Sequence, residues 1–252
     1  MKIFMKTTGF LVLFLGFALF VSACGKKSGK KPAQAIQPQS SANVAVQKAT
    51  SAESTRTAAK TLILNFDRDK PGQLPANFSQ HVTGRGQPGI WKVVTAADAV
   101  SQPNVVEQTS KKYFGYHFNV LVDDSTDFAN IELTVHFKAL TGREDQGGGP
   151  VWRYRDADNY YIARANPLEN NFRVYKVVDG NRKMLATVHI PITTHKWHTI
   201  RIKNSGDHIQ CYYDGQLYLN AHDTTFTHGK IGLWTKADAV TQFDDLIVKE
   251  VK

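Results

Sequence analysis

Residues 131–138 read Ile-Glu-Leu-Thr-Val-His-Phe-Lys, with apolar and polar side chains in strict alternation. Successive side chains of a β-strand point to opposite faces. A strand therefore gathers Ile131, Leu133, Val135 and Phe137 on a buried face and leaves Glu132, Thr134, His136 and Lys138 in water. Ile200 and Ile202 repeat the pattern against Arg201 and Lys203. Turn signals cut the chain at short intervals. Asp179-Gly180 separates residues 172–178 from 182–190, Ser205-Gly206-Asp207 separates 197–203 from 208–213, and Asp214-Gly215 separates 211–213 from 216–219. Asp-Gly supplies the positive-φ positions of tight hairpins. No long run of helical period follows residue 61. Many short strands joined by close turns predict one all-β sandwich or barrel over residues 61–252.

The N-terminus has a different character. Lys2 and Lys6 precede an almost wholly apolar run from Gly9 to Val21, which ends in Val21-Ser22-Ala23-Cys24. The run is the length of a signal-peptide core and short of the roughly 20 residues that span a bilayer. Small residues before a cysteine resemble the lipobox of bacterial lipoproteins. That resemblance implies a leader over residues 1–23, cleavage, and lipidation of Cys24. Residues 24–60 hold Lys, Ala, Ser, Gln and Thr without one aromatic residue, a composition that predicts a flexible linker. The expected location is the cell envelope, lipid-anchored. Gly25, rather than Asp, after the cysteine implies the outer membrane if the cell is Gram-negative.

The formal net charge of +9 is concentrated in these N-terminal segments. Lys2 and Lys6 supply two charges. Lys26, Lys27, Lys30, Lys31, Lys48, Arg56 and Lys60, less Glu53, supply six, which leaves one for residues 61–252. A near-neutral domain argues against nucleic acid as a partner. The basic cluster beside Cys24 would add attraction to anionic lipid, roughly 1 kcal/mol per charge near the surface. The other cysteine, Cys211, lies in an alternating run and is expected to be a buried, inert thiol.

Several segments of the C-terminal half fit one pattern. They are Gly149-Pro-Val-Trp-Arg-Tyr-Arg-Asp-Ala-Asp-Asn-Tyr-Tyr161, Ala163-Arg-Ala-Asn-Pro-Leu-Glu169, Tyr175-Lys-Val-Val-Asp-Gly180, Lys196-Trp-His-Thr-Ile-Arg201, Tyr213-Asp-Gly215, Gly229-Lys-Ile-Gly-Leu-Trp-Thr-Lys236 and Phe243-Asp-Asp-Leu246. They resemble the concanavalin A-like (laminin G-like) jelly-roll superfamily, and within it family 16 glycoside-hydrolase-like and 3-keto-disaccharide-hydrolase-like domains. The resemblance implies a jelly-roll β-sandwich and leaves activity open. The Glu-x-Asp-x-x-Glu motif of family 16 enzymes is absent. Retaining glycosidases need two carboxylates about 5 Å apart. Where 3-keto-disaccharide hydrolases carry Asn-Ser-Gly-Ile and Glu-x-Gln, this chain reads Gly-Gly-Pro-Val-Trp-Arg and Tyr-Ile-Ala-Arg.

The candidate ligand set is Arg153, Tyr161, Arg164, Asn166, Glu169, Trp234 and Lys236. Aromatic faces stack on sugar rings, and Arg, Asn and Glu satisfy hydroxyls with fixed geometry. The same residues suit a structural role, with Trp152, Tyr161 and Trp234 as core and the arginines paired to Asp156, Asp158 or Glu169. Related jelly rolls place a structural calcium where the chain ends meet, which makes Asp67, Asp244 and Asp245 candidate metal ligands. Gly84-Arg-Gly-Gln-Pro-Gly89 matches Gly-x-Gly-x-x-Gly, but Pro lies inside it and a strand-like run follows, so it reads as a loop. His195 and His198 have no cysteine nearby to complete a zinc site. No Gly-x-Ser-x-Gly elbow occurs.

Three functions fit: a non-catalytic glycan-binding module, a saccharide-acting hydrolase using Glu144, Asp145 or Glu169, and a protein-interaction module of the envelope. The first predicts sugar binding without turnover. The second needs a carboxylate of perturbed pKa in a groove. The third predicts a flat apolar patch.

Overall fold

The computed structural model describes residues 61–251, so the leader, Cys24 and the linker lie outside the described residues. The described chain is all β, in two antiparallel sheets. The first runs β13 (Gln216–His222), β12 (His208–Tyr213), β11 (His198–Ser205), β6 (Ile131–Thr141), β15 (Val240–Glu250), β4 (Asn104–Gln108) and β3 (Trp91–Thr95), with β1 (Thr61–Leu64) also paired to β15. The second runs β10 (Asn181–His189), β9 (Asn171–Val178), β8 (Asn159–Asn166), β7 (Gly149–Asp156), β14 (Lys230–Lys236), β5 (His117–Asp123) and β2 (Phe78–Gly84). Among the described residues no helix is long and apolar enough to cross a membrane.

The predicted alternation decides the core. Ile131, Leu133, Val135 and Phe137 of β6 join Ile200 and Ile202 of β11 in one buried cluster with Leu121, Trp152, Tyr161, Phe172 and Leu233 of the second sheet. Each fully buried side chain of this size contributes roughly 1.5–3 kcal/mol. Cys211 is part of this cluster, and burial pushes its thiol pKa far up. Asp179 and Gly180 have φ of 49° and 73°, and Asp214 and Gly215 have 46° and 83°, the paired positive values of a tight hairpin. Trp197, expected at the start of a strand, lies just before β11 instead. Its indole donates to the Asp98 carbonyl, and Lys138 sits 4.7 Å from its ring centre.

The second sheet also buries its outer face, the one turned away from the first sheet. Phe118, Val120, Val122, Val151, Tyr154, Tyr160, Ile162, Tyr175, Val177 and Trp234 form a second apolar cluster drawn from this sheet alone. Along β8, Tyr161, Ala163 and Ala165 face the core between the sheets, while Tyr160 and Ile162 face outward. The candidate site lies on this outer face.

Candidate functional site

The parity of β8 carries Arg164 and Asn166 to the outer face with Tyr160 and Ile162. Register extends that face sideways. Arg164 lies opposite Arg173 and Ile162 opposite Tyr175; on the next strand, Tyr175 lies opposite Met184 and Val177 opposite Arg182. On the other side Trp234 lies opposite Val120, and Lys236 opposite Phe118. Directly opposed residues of an antiparallel pair share a face. One surface therefore collects Arg164, Arg173, Tyr175, Arg182, Trp234 and Lys236.

A loop completes it. Asp238 accepts the backbone N–H groups of Arg143 at 2.7 Å and of Glu144 and Asp145 at 3.1 Å each. The loop so fixed places Asp145 against Arg164 (Nη1 to Oδ2, 3.2 Å), Lys236 (3.2 Å) and the Asn166 amide (2.9 Å). Arg164 Nη2 donates to Glu169 Oε2 at 2.9 Å and to Asn171 Oδ1 at 3.0 Å. Arg173 reaches the same Glu169 oxygen at 2.9 Å. Lys236 also approaches Glu144 at 3.5 Å, and Glu144 accepts the Gly115 N–H at 2.6 Å.

The two inner carboxylates are tuned apart. Burial raises the Asp145 pKa, against the pull of Arg164 and Lys236. Burial acts on Glu169 in the same sense, but hydrogen bonds from Asn171 and Arg164 and the charges of Arg164 and Arg173 outweigh it and hold Glu169 below the ordinary carboxylate. Glu169 remains 42% exposed while Asp145 is 1% exposed. Glu169 is thus the carboxylate an incoming molecule can reach.

An aromatic floor adjoins the charges. Trp234 and Tyr160 are fully buried, with the indole N–H donating to the Tyr160 hydroxyl at 3.3 Å. Arg182 lies over Tyr175, Phe118 and Trp234 at 4.6, 4.8 and 5.8 Å from their ring centres. Tyr116 packs on Phe118 at 4.4 Å, donates to the Gly180 carbonyl and accepts the Arg182 N–H. Exposed apolar side chains border the area: Tyr116 itself, Phe114 beside Gly115, Met184 opposite Tyr175, and Leu168 beside Glu169.

Of the residues singled out in the sequence, Arg164, Asn166, Glu169 and Lys236 meet in one network, and Glu144 and Asp145 join them. Trp234 shares the face but lies beneath Arg182. Tyr161 points the other way. It stacks on Trp152 at 5.5 Å, donates to Asp223 at 2.6 Å and accepts the Phe226 N–H. Arg153 sits in a bulge of β7 at φ 46°, where its guanidinium donates to the carbonyls of Ala129, Phe226 and Gly206. It clamps three loops, apart from the network. Sequence reading passed over Arg182, Arg173, Tyr175, Asn171 and Tyr116. The signal for Arg182 was present: the Asp179-Gly180 hairpin fixes its register opposite Val177.

The calcium set does not fit. Asp67 accepts the Asn104 N–H at 3.1 Å, and Asp244 accepts the N–H groups of Ser101 and Asp245 and the Ser101 hydroxyl. Among the described residues no three His, Cys, Asp or Glu side chains converge. Asp245 faces His136 at 3.8 Å, and His198 pairs with Asp214 at 2.8 Å.

No protein-family profile matches this chain. Over 79 residues it is 29% identical to the levanase of Bacillus subtilis (strain 168), a match covering 31% of this chain and 12% of the levanase. Among solved structures, carbohydrate-binding module CBM66 from Bacillus subtilis superposes with a TM-score of 0.56 at 19% identity, over 68% of this chain and 95% of the module. Domain 4 of AbnA, a GH43 extracellular arabinanase from Geobacillus stearothermophilus solved with arabinotriose, gives 0.50 at 13% identity, over 77% and 93%. The GH43 protein BlXynB from Bacillus licheniformis gives 0.51 at 14% identity, over 75% of this chain and 39% of that one. The fold of residues 61–251 is accordingly a β-sandwich, similar to that of CBM66.

Proposed function

We propose that this protein is a lipid-anchored, non-catalytic glycan-binding module, and that it holds its ligand on the outer face of the second sheet. The observation that carries the reading is the arrangement around Arg164, where reachable Glu169, Arg173 and Lys236 lie on a face bordered by the exposed side chains of Tyr116, Phe114, Met184 and Leu168. Sugar recognition needs that combination, polar groups held in fixed geometry beside apolar surface for ring C–H faces. The fold agrees with it, as does the chemistry named for the structural neighbours.

One observation favours a second reading, a saccharide-acting enzyme. Glu144, Asp145 and Glu169 do come together, with Asp145 raised and Glu169 lowered in pKa. Against it, a cation bridges two of the three pairs: Lys236 lies between Glu144 and Asp145, and Arg164 between Asp145 and Glu169. The test is a glycan array with the full chain beside Glu169→Gln and Lys236→Ala, followed by product analysis on the captured glycan. Binding that falls about tenfold in either folded variant, with the glycan recovered intact, is the expected result; a lost charged hydrogen bond accounts for that much. Cleavage that stops in Glu169→Gln would establish the enzyme instead. An array without any signal would remove both.

A further inference from the structure

We propose that the glycan held on this face carries a carboxylate, a uronic-acid residue, and that Arg182 is the residue that reads it. This rests on the glycan-binding reading above and names its ligand class.

Four cations and three acids meet on the face. Arg164 is matched by Asp145 and Glu169, Arg173 by Glu169, and Lys236 by Glu144 and Asp145. Arg182 has no carboxylate partner among the described residues. Three aromatic rings take the place of its water, and its buried Nη1 donates to nothing. Burial lowers its pKa, and the charge of Asp145 opposes this without outweighing it. Ring faces stabilise a guanidinium from above but leave its planar fork unfilled, and the group that fills a fork is a two-oxygen acceptor. A second buried donor nearby, Arg164 Nε, is likewise unpartnered.

The border has the same sign. Lys111 and Lys112 are exposed on the segment whose Gly115 N–H bonds Glu144, and exposed Arg143 precedes Glu144. Residues 61–252 carry a net charge of about one, so this gathering of cations is local, not a property of the whole surface. A neutral sugar would leave the Arg182 charge desolvated and unmatched; a uronate pairs it.

The test uses the full chain and oligosaccharides of galacturonate, glucuronate and mannuronate, each beside its carboxyl-reduced neutral counterpart of the same linkage, titrated calorimetrically. The expected result is at least a tenfold preference for the acidic member of a pair. Arg182→Gln should erase that preference, and Arg182→Lys should restore part of it. The parent needs no folded variant for a second check: its affinity for the acidic member should fall several-fold between about 50 and 300 mM NaCl, with the neutral member unaffected. A neutral counterpart that binds equally well overturns the proposal and leaves the glycan-binding reading standing. So does a preference that survives in Arg182→Gln. Binding of no member, acidic or neutral, overturns both.

Discussion

Arg153 and Arg164 are equally buried, and their partners give them different work. Arg153 donates to three backbone carbonyls of separate loops, so its removal orphans buried acceptors. Arg153→Ala should destabilise the fold by about 3 kcal/mol in urea titration. Glycan affinity per folded molecule should not change, because the clamp lies outside the network around Arg164. Asp223 offers a pH signature. Burial opposes its ionisation, but bonds from Lys176, Thr225 and Tyr161 prevail and pull its pKa down to about 2. A depressed carboxylate stabilises the fold above its unfolded pKa of about 3.9, and the stabilisation fades as pH falls through the folded value. Asp223→Asn should therefore cost about 2 kcal/mol at pH 7 and progressively less between pH 4 and pH 2. A gap between parent and variant that stays constant over that range would contradict the assignment. Neither role was legible in the sequence. Both depend on loops joined across more than 20 positions of chain, and nothing local marks which arginine faces a carbonyl and which a carboxylate.

At the scale of elements, legibility followed the chemistry of each strand. Turns with Asp-Gly were readable because few residues tolerate the positive φ they demand. Strands such as β6 were readable because one face meets water over most of its length; Lys138, expected there, is instead buried against Trp197 and paired with Asp98. The site strand β8 was not, because both its faces are buried, and alternation vanishes when neither side meets water. Aromatic residues at adjacent positions, Tyr160 and Tyr161, went to opposite faces, and residue type alone could not tell them apart. The glycines of the C-terminal motif have a reason visible once the strands are paired. A Cβ at Gly229, whose φ is 153°, would lie 2.6 Å from the Arg153 carbonyl carbon and from the Tyr154 carbonyl oxygen. Backbone cannot yield as a flexible side chain does. Gly229→Ala should displace the β7 bulge that aims Arg153, and lower stability by about 3 kcal/mol, comparable to Arg153→Ala. Thermal unfolding of the two single variants and the double variant checks this. If both changes break the same clamp, the double variant loses less than the sum of the singles.

The proposed function joins a glycan-binding sheet face to an N-terminus that resembles a lipid anchor. Their joint consequence differs from that of either alone. Under the proposed function a lone module presents one binding face and holds a short oligosaccharide weakly. Copies anchored on one membrane meet a polymeric glycan together, and each engagement raises the effective concentration for the next, worth about a hundredfold or more without any new contact. Cys24→Ser should leave the affinity for a short oligosaccharide unchanged, since the substitution lies outside residues 61–251. It should abolish incorporation of a palmitate label, shift the protein from membrane to soluble fractions, and cut retention of the long polymer by cells or vesicles by that factor. The basic residues 26–31 predict a further dependence: where the lipid is anionic, residual membrane association of Cys24→Ser should weaken as salt rises. Equal polymer retention by parent and variant would show that display on a surface contributes nothing and that the module acts singly. Loss of oligosaccharide binding in Cys24→Ser would place the N-terminus in the site itself.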